Sequence, residues 1–84
     1  MQVGWGPYLR DVAATGNVIR RAPLGIAVTV VEGAGSAVIS DNLISGTTDG
    51  AIVGMRWAEA VTGDLALTGA KQFPNLMVER NRVS

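Results

Sequence analysis

Apolar residues alternate with polar ones over short stretches, and the alternation recurs at a fixed interval. Val12, Ala14 and Ile19 are followed 25 residues later by Ala37, Ile39 and Ile44. Near the end of the chain Leu76, Val78 and Val83 repeat the same spacing. A period of two turns alternate side chains to one face of a strand. Ile26, Val28 and Val30, answered by Ala51, Val53 and Met55, read as a second strand per copy.

Sliding the chain by 25 residues places Val12–Val28 on Ala37–Val53, with four identities: Asn17/Asn42, Ile19/Ile44, Gly25/Gly50 and Val28/Val53. Asn81 continues the Asn column 39 residues after Asn42, that is, 25 plus a 14-residue insertion. The copies fall at about 12–36, 37–75 and 76–84, within a single partial domain over 1–84. Two strands per copy cannot bury their own inward face. Stacking each copy on the next in parallel buries it. Asn17, Asn42 and Asn81 then sit in the turn after the first strand. There Asn tolerates left-handed backbone, and its amide can bond the same Asn one layer away as a structural ladder. Gly25 and Gly50 mark a bend or a close approach before the second strand.

The succession of apolar-x-apolar strand, Asn-x-Ile and Gly-Ile-x-Val resembles the repeat of right-handed parallel β-helix proteins, the superfamily that includes pectate lyases. More narrowly, the stretch GWGPYLRDVAATGNVIRRAPLGIAVTVVEGAGSAVISDNLISGTTDGAIVGMRW resembles the C-terminal part of an uncharacterised bacterial family of repeat proteins with twin-arginine export signals. The resemblance implies an all-β solenoid of about three coils, a fragment of a longer β-helix, and a periplasmic or otherwise exported parent. Arg20-Arg21 lies inside the repeat with no free n-region before it, so it is not read as that signal.

The repeat breaks between residues 55 and 74 (MRWAEAVTGDLALTGAKQFP). Insertions in stacked repeats project from one face, often the binding face. Arg56, Trp57, Asp64 and Lys71 are the candidate binding residues: Trp57 as a flat platform for a sugar, the charged groups as hydrogen-bonding partners. The competing expectation is that Trp57 and Phe73 pin the excursion and cover the last core layer, as solenoid ends require. Trp5, Pro7 and Tyr8 pose the same alternative at the other end.

Composition narrows the chemistry. Neither Cys nor His occurs, which removes thiolate and imidazole ligands and the commonest general base. No metal site or cofactor is expected. Seven basic residues balance seven acidic ones, so a basic field for nucleic acid is absent. The longest uncharged apolar run, Leu24–Val31, is far short of the roughly 20 residues that span a bilayer. Gly33–Val38 (GAGSAV) lacks the third small residue of a dinucleotide loop and runs into another strand copy.

The superfamily's lyase chemistry calls for clustered acids around Ca²⁺, which needs six to eight oxygen ligands. The copies form no acidic column. Asp41 and Glu79 are the candidate catalytic pair for glycoside hydrolysis, with turn chemistry and surface exposure as the plainer roles for them. The outward columns Thr15/Ser40/Glu79 and Arg20/Ser45/Ser84 suit an extended polymer such as a polysaccharide, or merely solubility.

Three functions are therefore open: a non-catalytic structural or glycan-contacting segment, the C-terminal part of a polysaccharide lyase or hydrolase with its catalytic coils upstream, and a module that self-associates through open coil ends.

Overall fold

The computed structural model describes residues 1–4, 10–31 and 33–84; the expectation for Trp5, Pro7 and Tyr8 lies outside them. The strands are β1 (Gln2–Val3), β2 (Val12–Thr15), β3 (Val18–Arg20), β4 (Leu24–Thr29), β5 (Ala37–Ser40), β6 (Leu43–Ser45), β7 (Gly50–Arg56), β8 (Glu59–Asp64), β9 (Leu76–Glu79) and β10 (Arg82–Val83). One short helix, α1 (Leu65–Thr68), follows β8. They form three small sheets ordered β1-β4-β7-β8, β10-β6-β3 and β2-β5-β9.

This corrects the expected fold. The chain does not build a regular right-handed β-helix of three coils. It forms a compact body of 32 × 22 × 19 Å, whose four-stranded sheet is mixed because β8 runs antiparallel to β7. The physical cause is the excursion. Instead of continuing to a further parallel strand, the chain reverses at Trp57-Ala58 and covers the β7 edge itself. The stretch read as one strand around Ala14 and Ile19 is also divided, into β2 and β3, because the backbone turns at Gly16.

Two sheets join residues 25 apart. Val12 pairs with Ala37, Ala14 with Ile39 and Ile19 with Ile44. β9 and β10 extend these columns through Leu76, Val78 and Val83. Ala14, Ala37, Ile39, Ile44 and Leu76 are buried in the main core, with Ile19 and Val78 packed against it.

In the four-stranded sheet β1 keeps that interval on β4, with Val3 beside Val28, but the β4–β7 pairing departs from it. Leu24 pairs with Gly50 and Ile26 with Ile52, a step of 26. Three residues connect β3 to β4, whereas four connect β6 to β7. In a strand, a one-residue slip exchanges the faces. Ile52 therefore joins Ile26 and Val28 in the main core. Val53 and Met55, expected beside them, pack instead with Ala27 and Leu24 in a second cluster. The identities Gly25/Gly50 and Val28/Val53 are not structural equivalents.

Gly25 is a close-approach position. A Cβ there would lie 2.5 Å from the Ala51 carbonyl oxygen and 2.7 Å from Ile44 Cγ2. Both neighbours belong to the fully buried core, so neither can move away freely. Gly25→Ala is expected to destabilise the chain by about 1–3 kcal/mol, the usual cost of overpacking. Urea unfolding measures it, and an unchanged midpoint would show that β7 can shift relative to β4.

Candidate functional site

The side chains singled out by sequence fall into three separate places: the asparagine column, the Asp41–Glu79 surface, and the hairpin with its helix. A shallow cleft forms a fourth place, which Phe73 helps to line.

The asparagines are in contact along one line. The Asn17 backbone N–H and Nδ2 both donate to Asn42 Oδ1, each at 3.0 Å. The Asn42 N–H and Nδ2 donate likewise to Asn81 Oδ1, at 3.2 and 2.8 Å. The second Nδ2 hydrogens of Asn42 and Asn81 reach the Ala14 and Ile39 carbonyls. Each amide thus satisfies turn backbone as well as its neighbour, which makes the column a structural element. The left-handed residues are not the asparagines. Gly16, Asp41 and Arg80, each directly before an Asn, have φ of 68°, 57° and 53°. This residue turns the chain, and the turn aims the following Asn inward.

Asp41 and Glu79 meet at Arg80. Arg80 Nε donates to Asp41 Oδ1 at 3.0 Å and Nη2 to Asp41 Oδ2 at 3.2 Å, a fork that fits the carboxylate. Arg80 Nη1 donates to Glu79 Oε1 at 3.0 Å. All three side chains are about half exposed or more. The hydrogen bonds from Arg80 hold the Asp41 carboxyl below the usual aspartate range. A glycosidase proton donor needs the opposite shift, since it must stay protonated near neutrality. Asp41 is therefore a fixed anion, which speaks against the acid–base role considered for it.

Arg80→Ala is expected to raise the Asp41 titration midpoint toward the ordinary value of about 3.9. Carboxyl chemical shifts followed by NMR from pH 2 to 6 read it directly. Because the folded value is the depressed one, the pair's stabilising effect is present above the unfolded aspartate range and fades as pH falls through the folded midpoint. A midpoint indifferent to Arg80 would dissolve the pairing.

The excursion is a hairpin followed by a helical turn, not a projecting loop. Arg56 pairs with Glu59 across the two-residue tip, and Trp57 there is 41% exposed at φ 57°. Trp57 thus does not cover the core. Leu65 does, at 1% exposure, with Ala66, Ala70 and Phe73 packed against the same cluster.

Asp64 lies at the opposite end of β8 from the tip. Five steps of strand place it roughly 17 Å from Glu59. Its Oδ2 accepts from the Ala51 N–H at 2.9 Å, and its Oδ1 from the Ile52 and Ala66 N–H groups at 3.1 and 3.0 Å. It closes the β7 edge and caps α1 at once, so its oxygens are already engaged. Lys71 is exposed in the turn after α1. Arg56 and Trp57 on one side and Asp64 on the other do not form one binding site. Asp64 was readable as a helix cap before Leu65-Ala66-Leu67, but nothing in the sequence shows its bonds to β7.

The cleft, about 320 Å³, is lined by Val30, Val31, Gly33, Ala34 and Gln72–Asn75. Asn75 Nδ2 is engaged there by the Gly35 carbonyl. The outward column Thr15/Ser40/Glu79 is interrupted at Ser40, which is buried, so it offers no continuous polar row to a polymer. Among the described residues no helix is long and apolar enough to cross a membrane. Comparison with known proteins yields no match, whether to a family model, a curated protein or a solved structure.

Proposed function

We propose that this chain is a non-catalytic structural segment. The observation carrying this reading is the state of its two candidate acids: Asp41 and Glu79 share one guanidinium on the surface, and Asp41 is held ionised. Glycoside hydrolysis needs one carboxyl kept protonated and another free to act as base or nucleophile. Support comes also from Asn42 and Asp64, polar side chains with several hydrogen bonds each, which spend them on the chain's own backbone and neighbours.

The test is turnover of polyuronides and neutral glycans by the whole chain, beside Asp41→Ala and Glu79→Ala. No product is expected from any of the three. Product from the unmodified chain that disappears in either variant would sink the reading and restore the lyase or hydrolase alternative.

A second reading, glycan contact, is favoured by one observation: the hairpin turn presents Trp57 beside Arg56 with the indole partly open to solvent. An aromatic face with an adjacent hydrogen-bond donor suits the apolar face and hydroxyls of a sugar ring. Titration with soluble oligosaccharides, followed by NMR, should perturb Arg56–Glu59 and lose that effect in Trp57→Ala. Perturbation elsewhere, or none, would remove this reading.

A further inference from the structure

We infer that a second copy of this chain docks through its β2–β3 edge onto the β9–β10 edge of the first, and that the β7–β8 hairpin opposes this assembly. The inference rests on the structural reading above and names its partner. Among the described residues, β2, β3, β9 and β10 each pair on one side only. The two edges continue the same columns, because β2 and β9 flank β5, and β3 and β10 flank β6. Repeating that step would set Val12 beside Leu76, Thr15 beside Glu79, Asn17 beside Asn81 and Val18 beside Arg82 of the neighbouring copy. Opposed like charges do not occur in these positions.

The asparagine column gives the contact its polarity. Along it, N–H and Nδ2 of one residue donate to Oδ1 of the next. At one end Asn17 Oδ1 accepts nothing, and at the other the Asn81 backbone N–H has no acceptor, among the described residues. An acceptor end and a donor end on one molecule fit head to tail. Two donor ends do not fit each other, so a symmetric pairing of β9–β10 edges is disfavoured. Apolar surface lies at both edges: Val18 is 63% exposed and Val12 38%, with Met77 at 53% and Val83 at 39% on the opposite edge.

The third sheet supplies the restraint. β1 pairs with β4 in the way β4 pairs with β7, both in parallel. In the docked arrangement the second copy's β1 would arrive at the β7 edge, where β8 already lies. Asp64 and Thr62 hold β8 there through the Ala51, Ile52 and Gly54 N–H groups. Head-to-tail contact therefore competes with the chain's own hairpin. Loosening the hairpin favours association.

Sedimentation velocity across a concentration series tests this on the whole chain. Thr62→Val with Asp64→Asn should tighten self-association about tenfold or more, since several hydrogen bonds no longer oppose it. In that background Val18→Glu should strengthen association and Val18→Lys weaken it, each by about two- to fivefold, through Arg82 of the neighbour. Arg82→Glu should reverse that order. Val18 and Arg82 are exposed, so these changes leave the fold in place, as circular dichroism would verify. Should the loosened background unfold, the same charge pairs in the otherwise unmodified chain at its highest soluble concentration decide. Monomers throughout, or association indifferent to the sign at position 18, overturn the inference and leave the structural reading standing. Glycan turnover would sink that reading without touching the edge contact.

Discussion

Asn42→Ala is expected to bring the chain to the edge of unfolding at room temperature. Asn42 is 2% exposed and its side chain takes part in four hydrogen bonds. Truncation leaves the Asn17 N–H and Nδ2 without their acceptor and the Ala14 carbonyl without the Nδ2 donor, takes one of two donors from Asn81 Oδ1, and opens a hole in the middle of the column. Leaving a buried polar group unpaired costs about 1–3 kcal/mol. Some of the orphaned groups lie near the surface and can turn to water, so a total of about 3–5 kcal/mol is expected. A chain of 84 residues has roughly 4–13 kcal/mol in all. Asn17→Ala should cost much less, about 1–2 kcal/mol, because Asn17 ends the column and only its Nδ2 donation is lost, while its backbone N–H still donates to Asn42 Oδ1. Chemical denaturation of both variants measures the contrast. Equal losses would mean that the column contributes through turn propensity alone and not through its buried centre.

The asparagine column was legible because two independent signals coincide there. Apolar alternation sets the face of β2, β5 and β9, and the same residue type returns after each of them. Between β4 and β7 the signals conflict. Gly25/Gly50 and Val28/Val53 align in sequence at 25, yet the longer connection after β6 moves the strand on by one. Identity then misleads, since both Ile52 and Val53 are apolar and either could face the core. Only the packing partners choose: Ile52 meets the main core, and Val53 meets Ala27 on the other side.

The excursion was legible as a departure and not as a structure. Val61 and Leu67 are apolar yet exposed, so hydrophobicity gives no guide to its path. What directs it are polar bonds to backbone, which leave little trace in a sequence. Gly54 shows this physically. A Cβ there would lie 2.7 Å from Thr62 Cγ2, so glycine is what lets Thr62 come close enough for its Oγ1 to accept the Gly54 N–H at 2.8 Å.

Asp64→Ala is the second large effect, expected at about 3–5 kcal/mol. Hydrogen bonds to a charged group are worth about 1.5–3 kcal/mol each, and Asp64 accepts three. The Ala66 N–H can turn to water once uncapped, which limits its share. Ala51 and Ile52 cannot do so without opening the sheet, because both residues are fully buried. The expected response is local as well as global: β8 and α1 detach, Leu65 leaves the core, and the β7 edge is exposed. Hydrogen exchange should show Ala51, Ile52 and Gly54 losing protection while Leu43–Ser45 keep it. Asp64→Asn separates charge from geometry. It retains one acceptor oxygen and should recover about half of the loss. If Asp64→Ala left the exchange of Ala51 and Ile52 unchanged, the hairpin would be held by Leu65 burial alone, and the carboxylate would be incidental to the edge it closes.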